Sequence, residues 1–245
     1  MNMARIFITG SSDGLGMLSA NLLVRQGHSV VLHARNRERG SEALKKVPGA
    51  ESVLTGDLAS IEETVKLADR VNSSGHFDAV IHNAGVYQTS AKEIFHVNTL
   101  APYILTCLIQ KPGRLIYMSS GMHLYGRSKL DSFKSNVSNI TYSDSKLHVL
   151  MLSMAVARNW PDVYSNAVDP GWVPTRMGGM GAPGDLQKGY ETQTWLAVSN
   201  DEEARVSGHY FYHQKVKHHN PEADDIGIQE KFLKLCGEIT NISFP

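Results

Sequence analysis

Two short stretches of this chain hold residue types that do chemistry together. Near the start, Thr9-Gly10-Ser11-Ser12-Asp13-Gly14-Leu15-Gly16 sets three glycines between an apolar run and a helical one. Glycine lets a backbone approach a pyrophosphate closely, and a helix N-terminus adds free amides and a favourable dipole. Past the middle, Tyr142-Ser143-Asp144-Ser145-Lys146 puts a phenol and an ammonium one helical turn apart. A free phenol has a pKa near about 10 and is a poor base at neutral pH, but a neighbouring cation favours its phenolate. A nucleotide cradle joined to an activated tyrosine points to hydride transfer to or from an oxygen-bearing carbon. A glycine triplet alone is equally a tight strand-to-helix turn, so the argument needs both pieces.

Both must be held at one end of a sheet. Apolar runs at 5–8, 29–34, 52–54, 79–82, 114–118 and 164–168 read as strands. Amphipathic segments at about 16–26, 38–47, 61–72, 91–109 and 142–158 alternate with them as helices. Nearly unbroken apolar strands with crossover helices imply an α/β fold: a single Rossmann-type, doubly wound parallel sheet with helices on both faces. Ligands of such sheets bind beyond the carboxyl ends of the strands. The whole chain, 1–245, reads as one domain, with 121–141 and 176–195 as substrate-side loops. The stretch from Lys215 to Pro245 offers no motif.

The spacing Thr-Gly-x-x-x-Gly-x-Gly resembles that of the short-chain dehydrogenase/reductase family, and further motifs follow in the family's order. The resemblance spans roughly residues 4–176. It implies that Gly10, Ser12, Gly14, Leu15 and Gly16 contact the cofactor. It further implies that Asp57 and Leu58 meet the adenine, and that Asn83-Ala84-Gly85 supports the sheet beside the cofactor. Pro170, Gly171, Val173 and Thr175 resemble the loop that contacts nicotinamide. Asn98, within Phe95-x-Val97-Asn98, corresponds to the family's fourth catalytic residue, which holds a water linking Lys146 to a proton relay. The family's substrate-orienting serine falls at Ser119-Ser120, and its catalytic pair at Tyr142 and Lys146, both of which also touch the cofactor. The pattern is somewhat like that of retinol-dehydrogenase and carbonyl-reductase members.

Tyr125-x-x-x-Lys129 has the same spacing as Tyr142-x-x-x-Lys146. Its surroundings give no clean apolar helix face, whereas Tyr142 precedes Leu147, Val149, Leu150, Met151, Leu152 and Met154. Tyr142 is therefore the expected acid/base. Ser120 fits the family register better than Ser119, which would face the sheet. At the end of the second strand, Ala34 stands where an acid would bind the adenosine ribose diol, and Arg35 follows, with Arg37 and Arg39 nearby. Arginine presents paired donors to phosphate, which favours NADP(H) over NAD(H). Trp172, Met177, Met180 and Trp195 are candidates for the substrate pocket, or for core, and the glycine-rich 177–184 segment for a lid.

Composition sets the outer limits. The 245 residues carry no net formal charge, so no broad attraction to nucleic acid or anionic membrane is expected. Cys107 and Cys236 read as free thiols, and the histidines show no metal-ligand spacing. No apolar run approaches the roughly 20 residues that span a bilayer, and no signal peptide is evident, so a cytoplasmic location is expected. The helices at 91–109 and 142–158 are apolar around more of their circumference than one sheet face covers, which implies a homodimer or homotetramer. The expected activity is NADP(H)-dependent interconversion of a carbonyl and an alcohol, with Tyr142 as general acid/base. A non-catalytic NADP-binding sensor or scaffold is the alternative, as is, at greater distance, a nucleotide-sugar epimerase or dehydratase.

Overall fold

The computed structural model describes residues 3–245. One eight-stranded sheet runs in the order β3-β2-β1-β4-β5-β6-β7-β8. The strands are β1 (Arg5–Ile8), β2 (Ser29–Ala34), β3 (Ser52–Thr55), β4 (Ala79–His82), β5 (Arg114–Met118), β6 (Tyr164–Asp169), β7 (His209–Tyr212) and β8 (Lys215–Val216). All neighbours pair in parallel except β7 and β8, a terminal hairpin. The chain reverses its winding between β1 and β4, and a crevice opens there at the carboxyl ends of the strands.

The helices are α1 (Gly14–Arg25), α2 (Arg37–Lys46), α3 (Ile61–Ser73), α4 (Ala91–Phe95), α5 (Ala101–Leu108), α6 (Ser132–Ser135), α7 (Tyr142–Asn159), α8 (Leu186–Val198) and α9 (Ile226–Thr240). Strand residues alternate between two cores. Ile6, Ile8, Val30, Leu32, Ile81 and Ile116 face α1, α2 and α8. Phe7, Val31, Val80, Leu115 and Tyr117 face α3, α5, α7 and α9. Side chains supply the orphan amides at helix starts: Asn36 accepts from Arg39 N and Ser60 from Glu63 N. At α7, Thr141 and Asp144 cap each other's backbone.

Four sequence expectations change. The helix expected across 91–109 is interrupted by a π-turn at His96–Leu100, where Ala101 N–H donates to His96 O. The 176–195 segment is not all loop, because α8 begins at Leu186 within it. Trp195 lies on that helix, its ring edge-on to Phe211 and its indole N–H on Asp201, so it belongs to the scaffold. Finally, the C-terminal stretch is structured, and α9 covers part of the apolar surface on which the oligomer expectation rested. Every residue of α7 from Asp144 to Val156 is buried. The covering on its outer side is α9 of the same chain: Phe232 lies against His148 and Phe133. Tyr103 donates its hydroxyl to Ile242 O beyond α9. The apolar second sides of these helices are thus met in part inside one chain.

Three histidines sit in these cores as neutral rings. Burial pushes His33 and His148 down to about 4 and His82 to about 3. Each imidazole is harder to protonate in the folded chain, so the unfolded chain takes up the extra protons below about pH 6.5. Stability is therefore fully present above that value and falls as pH drops towards about 4. Urea denaturation at pH 7 and pH 5 should show a lower midpoint at pH 5; an unchanged midpoint would contradict the neutral assignments.

Candidate active site

A cavity of about 600 Å³ runs along the carboxyl edge of the sheet, from Arg35 and Arg39 after β2 to Tyr142 and Lys146 on α7. Its floor is the turn between β1 and α1. Gly10 and Gly14 adopt φ of 62° and 53°, which favours glycine. A Cβ on Gly10 would lie 2.8 Å from Ala84 Cα, whereas one on Gly14 would meet nothing within 4 Å. The turn is thus packed against the β4 end on one side and open to the cavity on the other. Asn83 fastens it by donating from Nδ2 to Thr9 O and Gly10 O, at 2.9 and 3.1 Å.

His33 is a part of this floor that the sequence reading missed. Its Nδ1 accepts from Gly10 N at 2.9 Å, which leaves the proton on Nε2, 3.0 Å from Gly56 O. One neutral ring therefore ties the glycine turn to β2 and the β3 end. Arg39 was also passed over in favour of Arg35. Its Nε lies 3.4 Å from Ser12 Oγ and its guanidinium 3.8 Å from Asp13 Oδ2, while Arg35 is exposed at the cavity edge.

At the other end Tyr142 opens α7. Its ring packs edge-on against Tyr87 at 4.8 Å, another residue the sequence did not mark. Ser120 is near enough to its hydroxyl to favour the ionised phenol. Ser120 Oγ also accepts from Met122 N at 3.3 Å, capping the short turn Gly121–Tyr125. Ser119 is buried and borders the cavity, but its hydroxyl is engaged, donating to Lys146 O at 2.8 Å. Lys146 is buried too. Its Nζ donates to Met118 O at 2.8 Å and lies 5.4 Å from the Tyr142 ring centroid.

The electrostatics differ from the expectation that Lys146 lowers the Tyr142 pKa. Within this chain, burial pushes the phenol up to about 12; Ser120 pulls it down, and the Asp169 and Tyr87 charges add to the rise. Burial also brings Lys146 down to about 8, opposed by the Asp169 carboxylate. Removal from water outweighs the cation at this separation.

Asn98 stands behind this pair in the π-turn. Its Oδ1 accepts from Val86 N at 2.8 Å, and its Nδ2 donates to Val86 O and Ser145 Oγ, both at 3.0 Å. That fills the side chain's two donors and leaves one acceptor site on Oδ1. A Cβ on Gly85 would sit 3.3 Å from Lys146 Nζ and 3.5 Å from Asn98 Oδ1, so that corner has little spare room.

The cavity wall contains most of the residues expected from the sequence: Gly10, Ser12, Gly14, Leu15, Arg35, Asp57, Leu58, Asn83, Ala84, Gly85, Tyr142, Lys146, Pro170 and Thr175. Gly16, Asn98, Ser120, Gly171 and Val173 lie behind or beside it. Tyr125 is 84% exposed, and Lys129 is ion-paired to Asp144 at 2.8 Å, so the second Tyr-x-x-x-Lys is not part of the cavity. Asp144 was unmarked in the sequence, yet it also accepts from Arg127 N at 2.8 Å and so anchors the 121–141 insertion on α7.

Residues 4–182 match the short chain dehydrogenase family, and the chain belongs to it. An uncharacterized oxidoreductase of Emericella nidulans is 45% identical over 256 residues, covering 99% of each chain. A solved, uncharacterized protein of Mycobacterium Paratuberculosis shares the fold with a TM-score of 0.81 at 23% identity, covering 99% of this chain and 95% of that one. A short chain dehydrogenase of Shigella flexneri, solved in complex with NADP, has a TM-score of 0.67 at 23% identity, covering 88% and 98%. No helix among the described residues is long and apolar enough to cross a membrane.

The packing of the turn generates a direct test. A Cβ on Gly16 would fall 2.4 Å from Asn83 Nδ2 and 2.7 Å from Gly10 O. Gly16→Ala should therefore destabilise the fold by about 1–3 kcal/mol, the usual range for overpacking, as read by urea denaturation. A neutral effect would mean the turn has room that its geometry denies.

Proposed function

We propose that this oxidoreductase reduces a carbonyl compound with NADP(H), and that Tyr142 supplies the proton. The observation that carries the reading is the Tyr142–Lys146 pair, with Ser120 near the phenol, at the end of a cavity that begins at two arginines. The cavity fits a dinucleotide: its glycine turn is open at Gly14, and its far end is basic. When bound, the nicotinamide supplies a hydride to the carbonyl carbon or takes one from the alcohol carbon.

The chain's own residues do the rest. Tyr142 remains a neutral phenol at physiological pH, because burial resists its ionisation, and a neutral phenol donates its proton to the developing alkoxide. Ser120 positions that hydroxyl and offers a second hydrogen bond to the substrate oxygen. Lys146, fixed on Met118 O, holds a positive charge behind the phenol as the proton leaves. Asn98 and Gly85 fix the corner in which that ammonium sits. Arg35 and Arg39 provide the donors for a 2′-phosphate, the feature that favours NADP(H). Because α9 covers part of the helix faces that would otherwise pair two copies, the chain acts as a monomer in this reading. A concentration-dependent mass in sedimentation would contradict that.

Tyr142→Phe should lower turnover by about 10²- to 10⁴-fold, the span ascribed to a positioned acid or base, while NADPH affinity stays within a few-fold. An active Tyr142→Phe enzyme would overturn the assignment. Arg35→Ala should raise the NADPH Michaelis constant by about 10- to 100-fold and leave that for NADH nearly unchanged, as for loss of a charge-assisted hydrogen bond. Equal losses with both cofactors would give Arg35 a structural role, and a parent enzyme preferring NADH would overturn the cofactor assignment.

A further inference from the structure

More than half of the exposed large hydrophobic side chains of the described residues lie on three segments at one end of the sheet. Tyr87 follows β4; Met122, Leu124 and Tyr125 follow β5; Trp172, Met177 and Met180 follow β6. Scattered singly, exposed apolar residues need no explanation, but a concentration around a cavity mouth does. Two of these residues, Tyr87 and Met177, line the cavity together with Tyr142, and the Trp172 ring lies beside Gly178, the neighbour of Met177.

Two features define what the rim presents. Tyr87 is held edge-on to the Tyr142 ring at 4.8 Å, so an apolar surface begins directly at the phenol. Trp172 is 65% exposed, yet its indole N–H is already donated to Gly178 O at 2.7 Å. The ring's polar handle is satisfied internally, and it offers only its carbon face. That loop is closely built: a Cβ on Gly178 would lie 2.2 Å from Val173 O, and one on Gly184 2.4 Å from Trp172 O. The indole is held to that loop by its bond to Gly178 O.

A membrane-docking surface has a different character. Aromatic residues at a bilayer interface turn their polar ends to the headgroups, and lysine and arginine cluster around them. Here the indole N–H is turned inward, and the segment after β6 contributes one cation, Arg176, to the cavity wall. A highly charged small substrate would leave the apolar lining of Tyr87, Val97, Met118 and Met177 unused.

We infer that the substrate of this site is a carbonyl compound with a flat aromatic or polycyclic body, its oxygen at Tyr142 and its ring system against Tyr87, Met177 and Trp172. The inference rests on the carbonyl-reductase reading and extends it to a substrate class. Aromatic surface is recognised through buried apolar area plus ring–ring contacts. The glycine-rich 177–184 segment carries Met177 and Met180 and supplies pliable thioethers to such a ring.

The test uses the full chain and two readouts. The first is NADPH-dependent turnover of 1-tetralone, butanone and glyoxylate. The second is direct binding of 2-naphthol by calorimetry, which needs no chemistry. The parent should favour tetralone over butanone in kcat/KM by at least about 100-fold, because each buried methylene contributes a several-fold gain. Trp172→Ala should cut the tetralone-to-butanone ratio and the naphthol affinity by about tenfold, and Trp172→Phe should restore most of both. The Phe variant also lacks the indole N–H, so its recovery separates the apolar face from loss of the Gly178 bond. Turnover of glyoxylate or butanone without a tetralone preference would overturn the substrate class and leave the reductase reading standing. Naphthol binding with no turnover of any carbonyl would sink the reductase reading and leave the aromatic site standing. Absence of naphthol binding overturns the site itself. Trp172-dependent sedimentation with phosphatidylcholine–phosphatidylserine vesicles would show the rim to be a membrane surface instead.

Discussion

An ammonium group held away from water, with no carboxylate against it, is the constraint on which the rest of this structure depends. Lys146 is buried, and its Nζ is bonded to Met118 O, a neutral carbonyl. Asp169 acts on it only through its charge from farther off. An unpaired buried cation is costly, and the fold tolerates it because backbone carries part of the hydration it gave up. The cost shows in the lysine's pKa, brought down to about 8.

That constraint reaches outward. Holding Lys146 one turn from Tyr142 requires a rigid α7, and α7 is rigid because each of its residues from Asp144 to Val156 is buried. The sheet covers one side, and α9 with the 121–141 insertion covers the other, the latter through Asp144. The covering that keeps the lysine dry also keeps the phenol neutral. Closer in, the π-turn and Gly85 clear the small space in which the ammonium sits. A side chain at 85 or a regular helix through 98 would place atoms or hydrogen bonds differently there. The site therefore depends on local irregularities as much as on the regular sheet.

These two kinds of feature were not equally legible in the sequence. Strands β1, β2, β4 and β5 were readable to the residue because they are continuous apolar runs bounded by glycine or polar residues, as sheets buried on both faces require. The turn at Gly10–Gly16 and the pair Tyr142–Lys146 were readable because their spacing is local. His33, Tyr87 and Asp144 carried no such signal: each matters through a partner brought near by the fold, such as Gly10 for His33 or Arg127 for Asp144. The π-turn went unread because His96, Asn98 and Thr99 can equally sit on the polar side of a regular helix. The coverage of α7 by α9 was not legible either. An apolar second face calls for a partner, but the sequence does not say whether that partner is another copy or the chain's own end.

The claim at the centre of this account is that burial keeps the Tyr142 phenol of the free chain from ionising despite the Lys146 ammonium nearby. It is tested most directly by the ultraviolet absorbance of tyrosinate as pH is raised, taken as the difference between the parent and Tyr142→Phe. The account predicts no tyrosinate signal from Tyr142 at neutral or mildly alkaline pH, with ionisation displaced towards about 12. A difference signal that titrates below about 9, under the ordinary value near 10, would contradict it and make Tyr142 a resident phenolate base.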